Sequence, residues 1–310
     1  MSAKHRDFAS QSRDSQLKDD LTQLVYLAMR EDLGRGFDLT TVAVVPDGVP
    51  AEATITTRVH GVAAGLQLVD WMLQAINSSV TVELHVLDGH SFEAGQVLGI
   101  LRGDARDVLT CERTILNFLG RLCGIATWTK LHVDLIEGLP ARLYDTRKTT
   151  PGWRRLEKYA VHCGGGHNHR SGLYDAILIK DNHLACHHRL TGHSLCPSQA
   201  LELVRQALAN QPGVPEDIMV EIEVDSLEQL TDALPSGPDI VLLDNMSVEQ
   251  LRQAVQLRNQ LNPAVQLEAS GGVSRKTLRE IAETGVDRIS MGALTHSAIN
   301  LDLGLDWVFG

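Results

Sequence analysis

Residues 162–170 read HCGGGHNHR, which gathers histidine, cysteine, consecutive glycines and an arginine in one short stretch. Three chemistries use such a set. Imidazole and thiolate ligate metals, glycine N–H groups cradle phosphate, and guanidinium clamps carboxylate. The spacing alone leaves all three open. Neighbouring residues add charge: between Thr146 and Gly172 stand Arg147, Lys148, Arg154, Arg155, Lys158 and Arg170 against a single acid, Glu157. Such a cluster is either a pocket for a small anion or, for Arg154, Arg155 and Lys158, the basic face of a solvated helix.

The cluster sits in an acidic chain. A formal charge of −11 over 310 residues argues against broad attraction to nucleic acid or anionic lipid. No apolar run approaches the roughly 18 residues of a membrane span. The first twenty residues lack an apolar core and read as a ragged, solvated terminus rather than a signal peptide. Cys111, Cys123, Cys163, Cys186 and Cys196 form no CxxC pair, which suits reduced thiols and a cytoplasmic location.

The elements that must position these groups begin near Ala141, where strand and helix patterns alternate. Strand-like runs lie at 141–146, 175–180, 218–224, 239–244, 265–270 and 286–291. They are short and rich in Val, Ile and Leu, as strands buried on both faces must be, and the alternation predicts βα units with a parallel sheet. Glu223 and Asp244 each lie three residues before a Ser that opens a capping-box pattern, Ser226 and Ser247. Both carboxylates therefore end a buried strand, the rim where reactive groups collect in barrels. Ser270, Gly271 and Gly272 end the next strand and Gly292 follows the last one; glycines there suit a phosphate. Arg147, Lys148 and Lys180 end the first two strands, so the expected rim is polarised, with cations for carboxylate or phosphate and acids for sugar hydroxyls or magnesium.

Upstream, the patterns predict a helix over 17–30, a strand over 51–60, a helix over 62–76 and strands over 80–87 and 96–102. A long helix over 107–135 is expected to break near Gly120 or Gly124.

The stretches ERTILN (112–117), DTRKTTPGWRRLEKYAVHCGGGHNHR (145–170), GLYDAILIKDNH (172–183), EIEVD (221–225), LLDN (242–245), EASGG (268–272) and SMGALTHS (290–297) closely resemble the quinolinate phosphoribosyltransferase family, collinearly over most of the chain. The resemblance implies an α/β fold: a solvated tail over 1–18, an N-terminal α/β sandwich over 19–125, and an incomplete α/β barrel of about seven strands over 126–295. Residues 296–310 would pack back on the sandwich. It implies a homodimer or higher homo-oligomer with a shared active site, Mg²⁺, and no organic cofactor. The reaction would join quinolinate to phosphoribosyl pyrophosphate, releasing pyrophosphate and carbon dioxide and giving nicotinate mononucleotide for NAD synthesis.

Carried onto matching positions, Arg147, His169, Arg170 and Lys180 would hold the quinolinate carboxylates, and Arg113 would reach in from a partner subunit. Lys148 would lie between the substrates, Glu223 and Asp244 would face ribose and magnesium, and Ser270, Gly271, Gly272 and Gly292 would hold the 5′-phosphate. Rival readings are a paralogous phosphoribosyltransferase such as the molybdenum-associated homologue, a Schiff-base aldolase built on Lys180, and a non-catalytic nucleotide sensor. Cys186, His187, His188, His193 and Cys196, in a loop-like stretch, match no common zinc pattern.

Overall fold

The structure, a computed structural model, describes residues 7–209, 211–213, 215 and 217–308. They form two compact units that exchange the chain repeatedly. The first takes the chain up to Ala9, His132–Arg147 and His167–Met291; the second takes Ser10–Leu131, Lys148–Gly166 and the chain from Gly292 onward.

The second unit contains α1 (Ser15–Leu33), α2 (Leu39–Val44), β1 (Pro50–Thr57), β2 (Gly61–Val62), α3 (Val69–Ala75), β3 (Thr81–Leu84), β4 (Ser91–Phe92), β5 (Val97–Asp104) and most of α4 (Ala105–Val133). The first unit carries β6 (Arg142–Tyr144), and the chain returns to the second unit for α5 (Arg154–Cys163). Then come β7 (Ile177–Ile179), α6 (Asp181–Thr191), α7 (Pro197–Ala209), β8 (Val220–Val224), α8 (Leu227–Ala233), β9 (Ile240–Asp244), α9 (Val248–Leu261), β10 (Gln266–Ser270), α10 (Leu278–Ala282) and β11 (Arg288–Ser290), all in the first unit. The short α11 (Ala293–His296) and β12 (Leu303–Val308) belong to the second.

In the first unit, six strands pair in the order β6-β11-β10-β9-β8-β7, all parallel. Each of the six runs read as a strand supplies one. β6 and β7 are the two margins and do not pair with each other, so the sheet is open; six strands, rather than about seven, pair among the described residues. Four of the five residues of β9, Ile240–Leu243, are buried, which is what covering a parallel sheet on both faces requires. The paired serines cap as their spacing predicts. Ser226 Oγ accepts from Gln229 N and Ser247 Oγ from Gln250 N, each at 3.3 Å, so α8 and α9 start at the same offset behind Glu223 and Asp244.

In the second unit a four-stranded antiparallel sheet runs β12-β1-β5-β3. Here the structure departs from several expectations. α4 is one unbroken helix across Gly120 and Gly124. Those glycines serve close approach instead: a Cβ at 124 would sit 2.1 Å from the Ile299 carbonyl oxygen, and one at 120 would sit 2.9 Å from that of Leu301. The helix expected from Val62 starts late, as a 3₁₀ turn at Leu66–Leu68 leading into α3, because Gly61–Val62 first pairs with Ser91–Phe92.

Lys148–Gly166, expected within the barrel, also belongs to this unit. Fully buried Glu157 on α5 accepts from Arg121 Nη2 of α4 at 2.7 Å, and Arg155 Nε lies 3.1 Å from Asp20 of α1. Lys158 is fully buried too, so α5 is not a solvated basic face. The tail expected over 1–18 is structured from Asp7 onward; residues 1–6 lie outside the described residues. Asp14 caps α1 by accepting from Leu17 N at 2.8 Å. No helix among the described residues is long and apolar enough to cross a membrane.

Candidate active site

Side chains alternate along a strand, so Glu221 and Glu223 of β8 share one face, as do Glu268 and Ser270 of β10. Two layers result, one buried and one at the strand ends.

The buried layer centres on His169. After α5 the chain runs through Gly164–Gly166 and rejoins the parallel sheet, where His167 bridges Tyr144 and its N–H donates to the Leu143 carbonyl at 2.8 Å. Fully buried Asp145 then fixes the next two residues: it accepts from Asn168 Nδ2 at 2.7 Å and from His169 N at 2.8 Å. This places His169 Nε2 3.2 Å from Glu221 Oε2 and 3.4 Å from Glu268 Oε1. Glu268 also accepts from Arg288 Nε at 2.8 Å. Beneath this layer, Asp7 binds Arg288 and the Phe8 ring packs against the imidazole.

Two demands compete at that imidazole. Arg170 N donates to Nδ1 at 2.8 Å, which asks for a bare nitrogen. Burial likewise lowers the ring's pKa, but the Glu268 and Glu221 carboxylates raise it to about 10. Two anions within 3.4 Å in a dry site outweigh one amide hydrogen bond of roughly 1 kcal/mol, so the ring is cationic at neutral pH. Burial works against the Glu268 anion too, and His169 and Arg288 overcome it and hold its pKa near 2.

The upper layer is half-exposed. Lys180, directly before α6, forms an ion pair with Glu223 at the end of β8. Asp244 ends β9 and accepts from Asn245 Nδ2 at 2.8 Å. Asn245 N donates to the Ser270 carbonyl at 2.9 Å, tying the two adjacent strand ends together. Gly271 comes next at φ +88°, and a Cβ there would meet Asn245 Oδ1 at 2.2 Å, so only glycine lets this turn close. Gly272 is left-handed as well, at φ +60°, and both glycines are exposed.

Arg170 is 5% exposed, and its Nη1 donates to the Ala176 carbonyl at 3.1 Å. Its pKa is lowered by burial and then by the Arg147 guanidinium, against a partial offset from Glu221 and Asp175. The exposed Arg147 thus acts on Arg170 as a like charge, which a bound anion would relieve.

Arg147, His169, Arg170, Lys180, Glu223, Asp244, Ser270, Gly271 and Gly272 all belong to the parallel unit. Lys148 and Gly292, the residues directly after Arg147 and Met291, fall in the other unit. There, a Cβ on Gly292 would lie 2.9 Å from Lys148 Cδ, and Thr295 Oγ1 donates to the Lys148 carbonyl at 2.7 Å. Arg113 is exposed on α4. Cys186, His187 and His188 lie on the helix α6, not in a loop, and do not converge. Among the described residues, the only trio close enough to chelate is His169, Glu221 and Glu268. With Arg288 on Glu268 and the ring proton between the acids, it is built as an internal ion cluster.

Sequence reasoning overlooked Asp145, Glu221, Glu268 and Arg288. Phase held the signal for two of them: Glu221 and Glu268 stand two residues before Glu223 and Ser270, on the faces that carry the rim. Asp7 and Phe8 carried no signal.

The comparisons with known proteins agree over nearly the whole chain. Residues 38–123 match the model of the quinolinate phosphoribosyl transferase N-terminal domain, and residues 125–306 match that of its C-terminal domain. A nicotinate-nucleotide pyrophosphorylase [carboxylating] of Mycobacterium leprae is 43% identical over 281 residues, covering 90% of this chain and 94% of that protein. A chloroplastic one of Oryza sativa is 38% identical over 301 residues, 92% of this chain and 77% of its own. The solved nicotinate-nucleotide pyrophosphorylase of Francisella tularensis superposes with a TM-score of 0.86 at 34% identity, over 97% of this chain and all of that one. The chain belongs to the quinolinate phosphoribosyl transferase family.

Proposed function

We propose that this protein transfers phosphoribosyl from phosphoribosyl pyrophosphate to quinolinate, with loss of carbon dioxide, giving nicotinate mononucleotide and pyrophosphate for NAD synthesis. The observation that carries the reading is the ion pair of Lys180 with Glu223 at the end of β8, with Asp244 and the turn at Ser270–Gly272 ending the two strands that follow across the sheet.

Quinolinate brings two adjacent carboxylates, which suit the crowded Arg147 and Arg170. Lys180 meets the same dicarboxylate and gives up its ion pair with Glu223. Glu223 is thereby released, with Asp244, to face the positive charge that grows on the ribose as pyrophosphate leaves. Fixed carboxylates stabilise such charge without reorganising, and holding the acid's ring nitrogen in line with the anomeric carbon supplies several kcal/mol more. The cationic His169, next to Arg170 in the chain, adds positive potential toward the dicarboxylate.

The turn at Ser270–Gly272 receives the 5′-phosphate. Oxygen donors at Glu223 and Asp244 fit Mg²⁺; held there, the ion would offset charge on the leaving group. Once the ring nitrogen is alkylated it is cationic and stabilises the electron pair left when the neighbouring carboxylate departs, so the reaction needs no organic cofactor. Arg113, exposed on α4, completes the site of a second copy in a homodimer or larger assembly. The enzyme works in the cytoplasm.

The test is to incubate purified protein with quinolinate, phosphoribosyl pyrophosphate and Mg²⁺ and follow products by mass spectrometry. Nicotinate mononucleotide and equimolar carbon dioxide are expected. Turnover of nicotinate or another acid with none of quinolinate overturns the substrate assignment and favours a paralogous transferase.

A further inference from the structure

We propose that Asp7 and Phe8, remote in sequence from every residue of the site, are positioning residues that hold His169 and Arg170 in register for the acceptor acid. The inference rests on the phosphoribosyl transfer to quinolinate for its kinetic readout, and on geometry for everything else.

Phe8 reaches the inner face of the parallel sheet at its lower end, against Ala176, Met219 and Ile240. Its ring lies 4.6 Å from that of His169, tilted by 30°. Arg288 completes the stack, with its guanidinium 5.0 Å from the Phe8 ring centre and 3.6 Å from that of Tyr144. Asp7 pins the same place from the polar side. Its carboxylate accepts from Arg288 Nη1 at 2.9 Å, from the Tyr144 hydroxyl at 2.8 Å and from Arg142 Nη1 at 3.2 Å.

Two routes therefore run from this segment to His169. One is the direct ring contact. The other passes from Asp7 to Arg288, then to Glu268, then to Nε2 of the imidazole. Arg288 is 1% exposed and stands between two acids, so removing Asp7 or Phe8 unbalances a dry ion cluster rather than a surface contact. The Arg170 amide nitrogen lies 2.8 Å from His169 Nδ1, and Arg170 Nη1 donates to the carbonyl of Ala176, part of the cluster that Phe8 packs against. A shift of Phe8 is thus felt at both ends of Arg170. Both routes end on the carboxylate clamp and bypass Glu223, Asp244 and Ser270, so the effect should be specific to the acid.

The experiment compares wild type with Phe8→Ala, Phe8→Tyr and Asp7→Asn. KM is measured separately for quinolinate and phosphoribosyl pyrophosphate, and hydrogen–deuterium exchange is followed at the His169 and Arg170 amides without substrate. Phe8→Ala and Asp7→Asn are expected to raise KM for quinolinate about tenfold, while KM for the other substrate stays within about twofold. Phe8→Tyr, which keeps the ring, should restore the wild-type value to within about threefold. The two amides should exchange about tenfold faster in Phe8→Ala. A lowered melting temperature with both KM values and amide exchange unchanged means a purely structural role and overturns the proposal. A wild-type enzyme that does not turn over quinolinate overturns the functional reading instead, and amide exchange then decides the positioning role alone.

Discussion

Glu221 and Glu223 stand two residues apart on one face of β8, and they have opposite fates. Glu221 is fully buried beside the His169 imidazole; Glu223 is half-buried at the rim and paired with Lys180. One strand thus carries a charge that stays inside the protein and, one step higher, a charge that can exchange its partner. The pairing with Lys180 gives Glu223 a resting partner, which quinolinate would have to displace in the proposed binding mode.

Removing either member separates the two jobs. Glu223→Gln should lower kcat by about 100-fold, since it removes a group that matters most as the ribose becomes cationic, with little change in KM for quinolinate. Lys180→Met should instead raise KM for quinolinate by about tenfold or more. Steady-state kinetics with each substrate varied in turn checks both.

The buried cluster should show in the pH dependence of stability. His169 is raised from 6.5 to about 10, so its contribution is fully present below about pH 6.5 and is lost as pH climbs through about 10. Glu268 is lowered from 4.5 to about 2, so its contribution is present above about pH 4.5 and is lost as pH falls through about 2. The melting temperature should fall on the alkaline side between these His169 limits, and His169→Gln should flatten that limb. A wild-type profile level from pH 6.5 to 10 would contradict the cationic assignment.

Gly271→Ala forces a Cβ into Asn245 Oδ1 at a left-handed φ. KM for phosphoribosyl pyrophosphate should rise about tenfold or more, and KM for quinolinate should hold, because the turn is tied to the Asp244 end of the site. Circular dichroism should show an intact fold.

Arg113→Glu tests the shared site. The side chain is exposed on α4, so melting temperature should be unchanged while activity is lost. Mixing Arg113→Glu with the kcat-impaired Glu223→Gln protein should give more activity than either alone if each subunit completes the other's site. Full activity of Arg113→Glu by itself would exclude that role.

Legibility in the sequence tracked physics. Parallel strands betray themselves because covering both faces demands apolar runs, and all six runs hold strands. Glu223 and Asp244 were visible because a charge ending such a run has no packing reason to be there. Glu221 sits inside a run, where its cost is met by His169 about 50 residues away, and pattern reading cannot see that. Gly120 and Gly124 misled for a similar reason: glycine weakens a helix locally, yet here it admits carbonyls from some 180 residues downstream. Lys148–Gly166 reads as part of the barrel because sequence order is continuous, while Glu157 and Arg121 hold it elsewhere. Asp7 and Phe8 lie in a stretch whose composition is that of a tail.

The interleaving of the two units also governs how the chain can be made. β1 is sandwiched between β5 and β12, and Thr56 bonds to Asp306 across 250 residues. At a synthesis rate of about 5–20 residues per second, β1 paired with β5 stands with one open edge for roughly 10–40 s before β12 emerges. The parallel unit cannot close before β11 emerges, nor the other before β12, so each waits for chain made after most of the other unit.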